Sequence, residues 1–379
     1  MATAAVQATT LAPTAELASS NPPTLVPGSV PFQRALPAAV FATSELFPAV
    51  LTPSSPITLE QTLEQLRSAA ASGQIKALLK QHGGALLLRG FPISTPDDFS
   101  KIAFACEVGS PHEEIGRPPK RTQFAPAVSS ANEGPPEAEL FMHSEYGWSI
   151  HHPAYLLFYA LVPPVQGGET PLASGLELYA RLQESDPDFI AQLARKGLKY
   201  HYRYDTEDVL SSNSGASVRS AYGQNVLDTD SAEVFRQKVE TQIRRHSQNF
   251  EWHEDGSLSV YHHVPYIRTH HATGLKTCFG NLLSAYGRSK FYKALEPPFL
   301  GTDGGYHPLP LYGDGSAISV ESLERADKIV EETRVLLKWQ QGDVVLFDNH
   351  SIMHGRIPWK GERRVLASLW DGEAFPQEA

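Results

Sequence analysis

Residues 340–370, QQGDVVLFDNHSIMHGRIPWKGERRVLASLW, decide how the rest of the chain is read. Gln341-Gly342-Asp343 is a turn signal. Val344, Val345, Leu346 and Phe347 form a short apolar run of β-branched and aromatic residues, which marks a buried strand. Asp348-Asn349-His350 breaks the run, and Met353-His354-Gly355-Arg356 follows. A turn at Pro358 and Gly361 leads to a second strand over 363–370. The stretch reads as a hairpin with His354 on one arm and an arginine at the start of the other. Burying an imidazole and a guanidinium is costly without partners. A metal ion and a carboxylate would supply them.

A metal needs ligands from elsewhere in the chain. Phe141-Met142-His143-Ser144-Glu145-Tyr146 is the best source. His143 and Glu145 are two apart, so on extended backbone they share a face. With His354 they would make a facial triad, which leaves three positions open on a ferrous ion. An HxE tripeptide alone is weak, and a lone histidine is more often a satisfied structural group than a ligand. HxE, a late histidine and an arginine just beyond it are much stronger together.

Composition narrows the alternatives. The chain has 379 residues, 41% of them hydrophobic, which is ample for a full core. Its net charge of −10 and the lack of a long basic run argue against a nucleic-acid partner. Two cysteines are too few for a disulfide framework and suit a reducing compartment. They also exclude the zinc deaminase reading of HxE, which needs a later P-C-x-x-C. No apolar run approaches membrane-spanning length. Residues 1–30 contain no Lys or Arg, so neither a secretory signal nor a mitochondrial presequence is expected, and a cytoplasmic protein is.

Residues 1–30 read as a disordered N-terminal tail by composition. Residues 31–379 read as one catalytic domain, with a loop and helix insertion around 205–260. Helical spacing runs over 58–82 with a break at Gly73. Ala85, Leu86, Leu87 and Leu88 start a buried strand. Thr95 is placed to cap a helix over 96–105 with Pro96 at its first position. Further strands are expected at 155–162, 199–204 and 252–266, and helices at 176–192, 231–247 and 319–335. Many short strands and a few helices suggest a mainly β sandwich or open barrel with covering helices.

The motifs as a set resemble the taurine dioxygenase (TauD/TfdA-like) family of iron(II)/2-oxoglutarate-dependent oxygenases, in the clavaminate-synthase-like superfamily. The carrying residues are Leu88-Arg89-Gly90-Phe91, Phe141-Met142-His143-Ser144-Glu145, Gly167-Gly168-Glu169-Thr170-Pro171, Gly342-Asp343-Val344, Asp348-Asn349, Met353-His354-Gly355-Arg356 and Arg363-Arg364-Val365-Leu366. The likeness runs from about residue 32 to 370 and is nearest to plant and fungal members with Glu in the triad. It implies a double-stranded β-helix, the cupin-like jelly roll, and an iron(II) site at His143, Glu145 and His354. It implies 2-oxoglutarate as co-substrate with O₂, its distal carboxylate held by Arg364 with Thr170. Arg363 is the rival, because alternation puts the two arginines on opposite faces. The implied reaction is oxidation of an unactivated C–H bond of a small molecule. Some fungal relatives act on free amino acids by desaturation or ring closure, including aziridine formation, with valine a candidate substrate.

Around that site Asn132, Asn281, Phe347 and Arg356 are candidate substrate contacts, and Tyr146 and Trp148 candidate walls. Core packing reads as well for each aromatic. The pairs His151-His152, His262-His263 and His270-His271 are assigned no metal, since neighbours on a strand face opposite ways. A zinc hydrolase on the same ligands and a non-catalytic jelly-roll binding protein are the alternatives. An arginine placed behind the metal speaks against the first, and an intact triad against the second.

Overall fold

The computed structural model describes residues 23–41, 44–116, 121–131, 134–209 and 214–376. Its centre is the Tyr155–Val162 strand, YLLFYALV, apolar on both faces and buried on both over its first six residues. It pairs antiparallel with Val344–Asp348 on one side and Arg364–Asp371 on the other. Ala85–Leu88 pairs with Val344–Asp348, and Ala49–Pro53 with Ala85–Leu88 in parallel, within a nine-stranded sheet.

Alternation divides the side chains of this sheet between two cores. Tyr155, Leu157, Tyr159, Val344, Leu346, Leu366 and Trp370 face the helices Leu59–Ala71 and Pro96–Ala105. Leu156, Phe158, Val345, Phe347, Val365 and Ala367 face a second, four-stranded sheet. That sheet is ordered Val335–Leu337, Thr170–Ser174, Ile352–Arg356, Leu140–His143. Removing each large apolar side chain of these layers from water contributes roughly 1.5–3 kcal/mol. Among the described residues neither sheet closes into a barrel.

Local signals hold where they rest on caps. Thr58 and Thr95 each form a capping box, and Gly73 takes a positive φ between the two helices expected over 58–82. Three readings change. The expected hairpin is not one: Ile352–Arg356 and Arg364–Asp371 lie in different sheets, so the segment between them crosses from one sheet to the other. The helix expected over 176–192 is two helices, Gly175–Ser185 and Pro187–Lys196, because Asp186 caps the second and Pro187 cannot continue the first. Within the expected tail, 1–22 lies outside the described residues, while Leu25–Pro27 pairs with Ala49–Pro53.

A third sheet joins Asn249–Trp252, Leu258–Val264, Leu198–Tyr204 and Leu311–Tyr312. It has its own core of Tyr204, Val218, Tyr222, Val239 and Ile243. Its Leu198–Tyr204 strand presents Tyr202 and Tyr204 to the cavity described next. No helix among the described residues is long and apolar enough to cross a membrane. Cys106 and Cys278 are buried and unbridged.

Candidate active site

A cavity of about 200 Å³ lies between the two facing sheets. On its wall His143 and His354 are directly opposed in register across adjacent strands. The Glu145 Oε2 atom lies 3.6 Å from His143 Nε2 and 3.5 Å from His354 Nε2. One donor atom from each of the three falls within 4.8 Å of the others. His143 Nδ1 donates to the Phe141 carbonyl at 2.8 Å, which leaves its Nε2 lone pair for a metal. Burial and the His143 charge push His354 down to about 4 against the pull of Glu145, so it is neutral at pH 7. Burial alone would raise Glu145; the Arg121 guanidinium and both imidazoles outweigh it and hold the carboxyl well below its usual range. Two imidazoles and one carboxylate converging on one point fit a divalent cation such as iron(II).

The strand ends at His143, and Glu145 sits in a turn where Tyr146 takes φ 53°. The shared face expected from extended backbone is therefore produced by other means. Asn349 accepts from the Glu145 N–H at 2.8 Å and donates to the Glu145 carbonyl at 2.9 Å and the Pro153 carbonyl at 2.8 Å. That side chain, completely buried, fixes the turn that aims Glu145.

Across the cavity the two arginines part. Val365 and Ala367 line the cavity, and alternation brings Arg363 to it with them. Arg364 points outward, half exposed, and pairs with Glu362 at 3.0 Å. The expectation that Arg364 reaches the cavity is thus corrected by strand phase. Arg363 donates from Nε to the Gly168 carbonyl at 3.1 Å, and no carboxylate pairs with it among the described residues. Burial, with Arg356 nearby, pushes it down to about 9. Thr170, also on the wall, accepts from Trp339 Nε1 at 3.1 Å, which leaves its own O–H to donate.

The remaining candidates divide. Asn132 lies outside the described residues. Asn281, Arg356, Tyr146 and Trp148 line the cavity. Arg356 donates to the carbonyls of Pro135 and Ala138, at 3.3 and 2.9 Å, and covers the Trp359 ring. Glu362, six residues beyond Arg356, pairs with Arg364 instead. Phe347 does not reach the cavity: it is fully buried, packed on Phe158 and behind the His354 ring at 5.4 and 5.1 Å between centroids. It is a core residue that backs a ligand.

The alternation argument fails for His270-His271, which lie past the end of the Ile267–Thr269 strand. Both turn toward Asp348, and one donor atom of each lies within 4.8 Å of the others. His270 is satisfied within the chain, by Asp348 at 2.8 Å and Thr273 at 2.9 Å.

Arg121 was not legible in the sequence. It bridges Glu145 at 2.7 Å and Glu114 at 2.8 Å from inside a segment without periodicity. The Arg89-Gly90 and Gly342-Asp343 motifs are structural: Asp343 accepts from Arg89 at 2.9 and 2.6 Å and from the Gln340 N–H at 2.7 Å, closing the turn before Val344.

Residues 50–370 match the sequence profile of the taurine catabolism dioxygenase TauD, TfdA family. The chain belongs to the TauD/TfdA family. A clavaminate synthase-like protein of Arabidopsis thaliana is 31% identical over 86% of this chain and 94% of that protein. The dapdiamide synthesis protein DdaC of Enterobacter agglomerans is 27% identical over 76% and 82%. Among solved structures, AAD-2 with Mn(II) and N-oxalylglycine is 14% identical over 86% of this chain and 94% of that one, with a TM-score of 0.45. A taurine dioxygenase from Burkholderia xenovorans is 14% identical over 86% of each chain, with a TM-score of 0.44. As a TauD/TfdA protein the chain is an iron(II)/2-oxoglutarate-dependent oxygenase that uses O₂. That class sets aside both the zinc hydrolase and the non-catalytic binding protein.

Proposed function

We propose that His143, Glu145 and His354 hold the iron and that Arg363, not Arg364, clamps the distal carboxylate of 2-oxoglutarate, with the Thr170 hydroxyl donating to the same group. The observation that carries this reading is a single cavity with three convergent donor atoms on one wall and, on another, a half-buried arginine that no carboxylate pairs with among the described residues. A planar guanidinium suits a carboxylate, and the charge-assisted bond offsets its burial. In this reading the two sheets are the halves of a jelly roll within one catalytic domain over 31–379.

When bound, iron(II) and 2-oxoglutarate supply O₂-dependent oxidation of a C–H bond, coupled to decarboxylation of 2-oxoglutarate to succinate. The chain's own part is placement. Asn349 fixes the Glu145 backbone, and Arg121 holds Oε1 of Glu145 while Oε2 faces the imidazoles. Phe158 and Phe347 pack on the His354 ring and keep water from its far side. Tyr146, Trp148 and Tyr202 shape the space left for the substrate.

The substrate in this reading is a small molecule, with a free amino acid the favoured class and secondary metabolism the setting, as the name of the dapdiamide relative suggests. The outcome is hydroxylation or oxidative cyclisation, with the aziridine of valine among the candidate products. The test is slow succinate release from 2-oxoglutarate by the iron(II)-loaded protein in air, lost in His143→Ala. Release that persists in that variant refutes the ligand assignment.

A further inference from the structure

The hairpin formed by Ile267–Thr269 and Lys276–Cys278 brings two adjacent histidines to one point. The first strand ends at Thr269, and the chain turns at once. The His270 N–H donates to the Leu275 carbonyl at 2.8 Å, the Gly274 N–H donates to the His270 carbonyl at 2.8 Å, and Gly274 takes φ 71° to close the loop. Neighbours off a strand need not face opposite ways. Both imidazoles meet Asp348, the last residue of the Val344–Asp348 strand. His270 and Asp348 are buried, and the His271 side chain is mostly so.

One nitrogen of each imidazole and one Asp348 oxygen fall within 4.8 Å of one another, and His270 Nε2 is 2.8 Å from Asp348 Oδ2. The far atoms of that pair are tied down. His270 Nδ1 meets the Thr273 hydroxyl at 2.9 Å, and Asp348 Oδ1 accepts from the His350 N–H at 2.9 Å. Outer partners of this kind orient metal ligands. His271 is the unexplained member. Its Nδ1 is buried with no hydrogen-bond partner among the described residues, and its Nε2 stands 3.8 Å from Glu373 Oε2, too far for a hydrogen bond. A buried nitrogen left in that way calls for a partner. A second cavity of about 200 Å³ adjoins the cluster, lined by Asp348, His271, Glu373, Tyr155 and Lys76. Glu373 and Lys76 are about half exposed, so the cavity reaches the surface and an ion has a way in. Glu373 already accepts from Lys76 at 2.6 Å and from the Tyr155 hydroxyl at 3.2 Å. An exposed pair of that kind holds its carboxylate weakly.

We propose that His270, His271 and Asp348 form a second metal site, apart from the iron triad, which takes zinc(II) with Glu373 as its fourth ligand. Two imidazoles and two carboxylates complete a four-coordinate sphere, the closed arrangement zinc adopts in structural sites. The triad of His143, Glu145 and His354 instead leaves positions open. Zinc–ligand bonds of about 2.0–2.2 Å set tetrahedral donors roughly 3.4 Å apart. His270 and Asp348 therefore part by about half an ångström as the metal replaces the hydrogen between them. His270 then carries its proton on Nδ1 and donates it to Thr273. Zinc bound there pins the hairpin turn to the strand end just before Asn349. The site goes beyond the proposed function and does not depend on it.

The test is titration of the full-length protein, stripped of metal with a chelator, with zinc(II) by calorimetry. Wild type is expected to bind one zinc ion more per chain than His271→Ala. That variant spares the buried His270–Asp348 bond, and an unchanged circular dichroism spectrum checks its fold. His354→Ala, which breaks the triad, should still bind one zinc ion, and His354→Ala/His271→Ala should bind it at least tenfold more weakly. Cobalt(II) in place of zinc reports the geometry. The intense visible band of a four-coordinate ion should appear in wild type and in His354→Ala, and be lost in His271→Ala. Equal zinc in wild type and His271→Ala would overturn the site, as would a cobalt band that His271→Ala retains. If His354→Ala does not fold, the comparison of wild type with His271→Ala decides alone. Failure of the triad reading shows separately, as zinc bound by wild type that His271→Ala loses entirely.

Discussion

Arg363 and Arg364 are chemically identical neighbours, and only the phase of the strand distinguishes them. Val365 and Ala367 face the cavity, so the side chain two before Val365 faces it too, while Arg364 meets solvent and Glu362. An exposed pair of that kind is worth about 0–1 kcal/mol. A buried charge-assisted contact to a ligand carboxylate is worth roughly 1.5–3 kcal/mol. Arg363→Ala is therefore expected to weaken apparent 2-oxoglutarate affinity about 10–100-fold, and Arg364→Ala by less than about threefold, by titration or from the KM for succinate release. The reverse ranking would reassign the clamp. Alternation was available in the sequence, but it does not say which of the two faces is the inner one, and the family resemblance implied Arg364. What fixes the phase is which of Val365 and Leu366 faces which core, and both are apolar.

At the scale of elements, the turn between Val344–Asp348 and Ile352–Arg356 joins the two sheets and carries Asn349. Its three hydrogen bonds reach Glu145 and Pro153, far away in sequence. Asn349→Ala should lower iron(II) affinity about 10–100-fold, as loss of an outer partner of a metal ligand typically does; binding equal to wild type would show that Glu145 needs no such support. Phe347, in the strand just before, tests packing separately. Phe347→Ala should cost about 3–5 kcal/mol of stability in a denaturant melt, yet leave substrate affinity unchanged in the folded fraction. A selective loss of substrate affinity would restore Phe347 to the cavity wall. The strands and capped helices were legible because their signals are local: period-2 burial, Thr caps, prolines at first turns. The crossing of residues 357–362 between sheets was not, because a Pro/Gly turn between two apolar runs looks the same whether the runs pair or part. The role of Arg121 was hidden for a related reason, since nothing in a segment without periodicity shows which distant carboxylate it will meet.

Over the whole molecule, burial of histidines makes stability depend on pH. His246, among Ser149, Tyr222 and His151, and His350, among Asp348, His270, His271 and Arg268, are pushed down to about 3, chiefly by burial. Both values lie below the ordinary imidazole value of about 6.5, so the unfolded chain binds more protons as the solution is acidified. Their contribution is complete above about pH 6.5 and is lost as pH falls toward 3, on the order of several kcal/mol in total. The thermal midpoint should fall clearly between pH 7.5 and 5, and a flat profile would contradict the buried, neutral assignment. The central claim is that one cavity joins a metal triad to an arginine awaiting a dicarboxylate. The most direct measurement is the anaerobic visible spectrum of the apoprotein titrated with iron(II) and then 2-oxoglutarate. A weak metal-to-ligand charge-transfer band should need both additions, be absent in His354→Ala, and require much more 2-oxoglutarate in Arg363→Ala. Folded, metal-loaded wild-type protein that gives no band, or a band that survives in His354→Ala, would contradict the account.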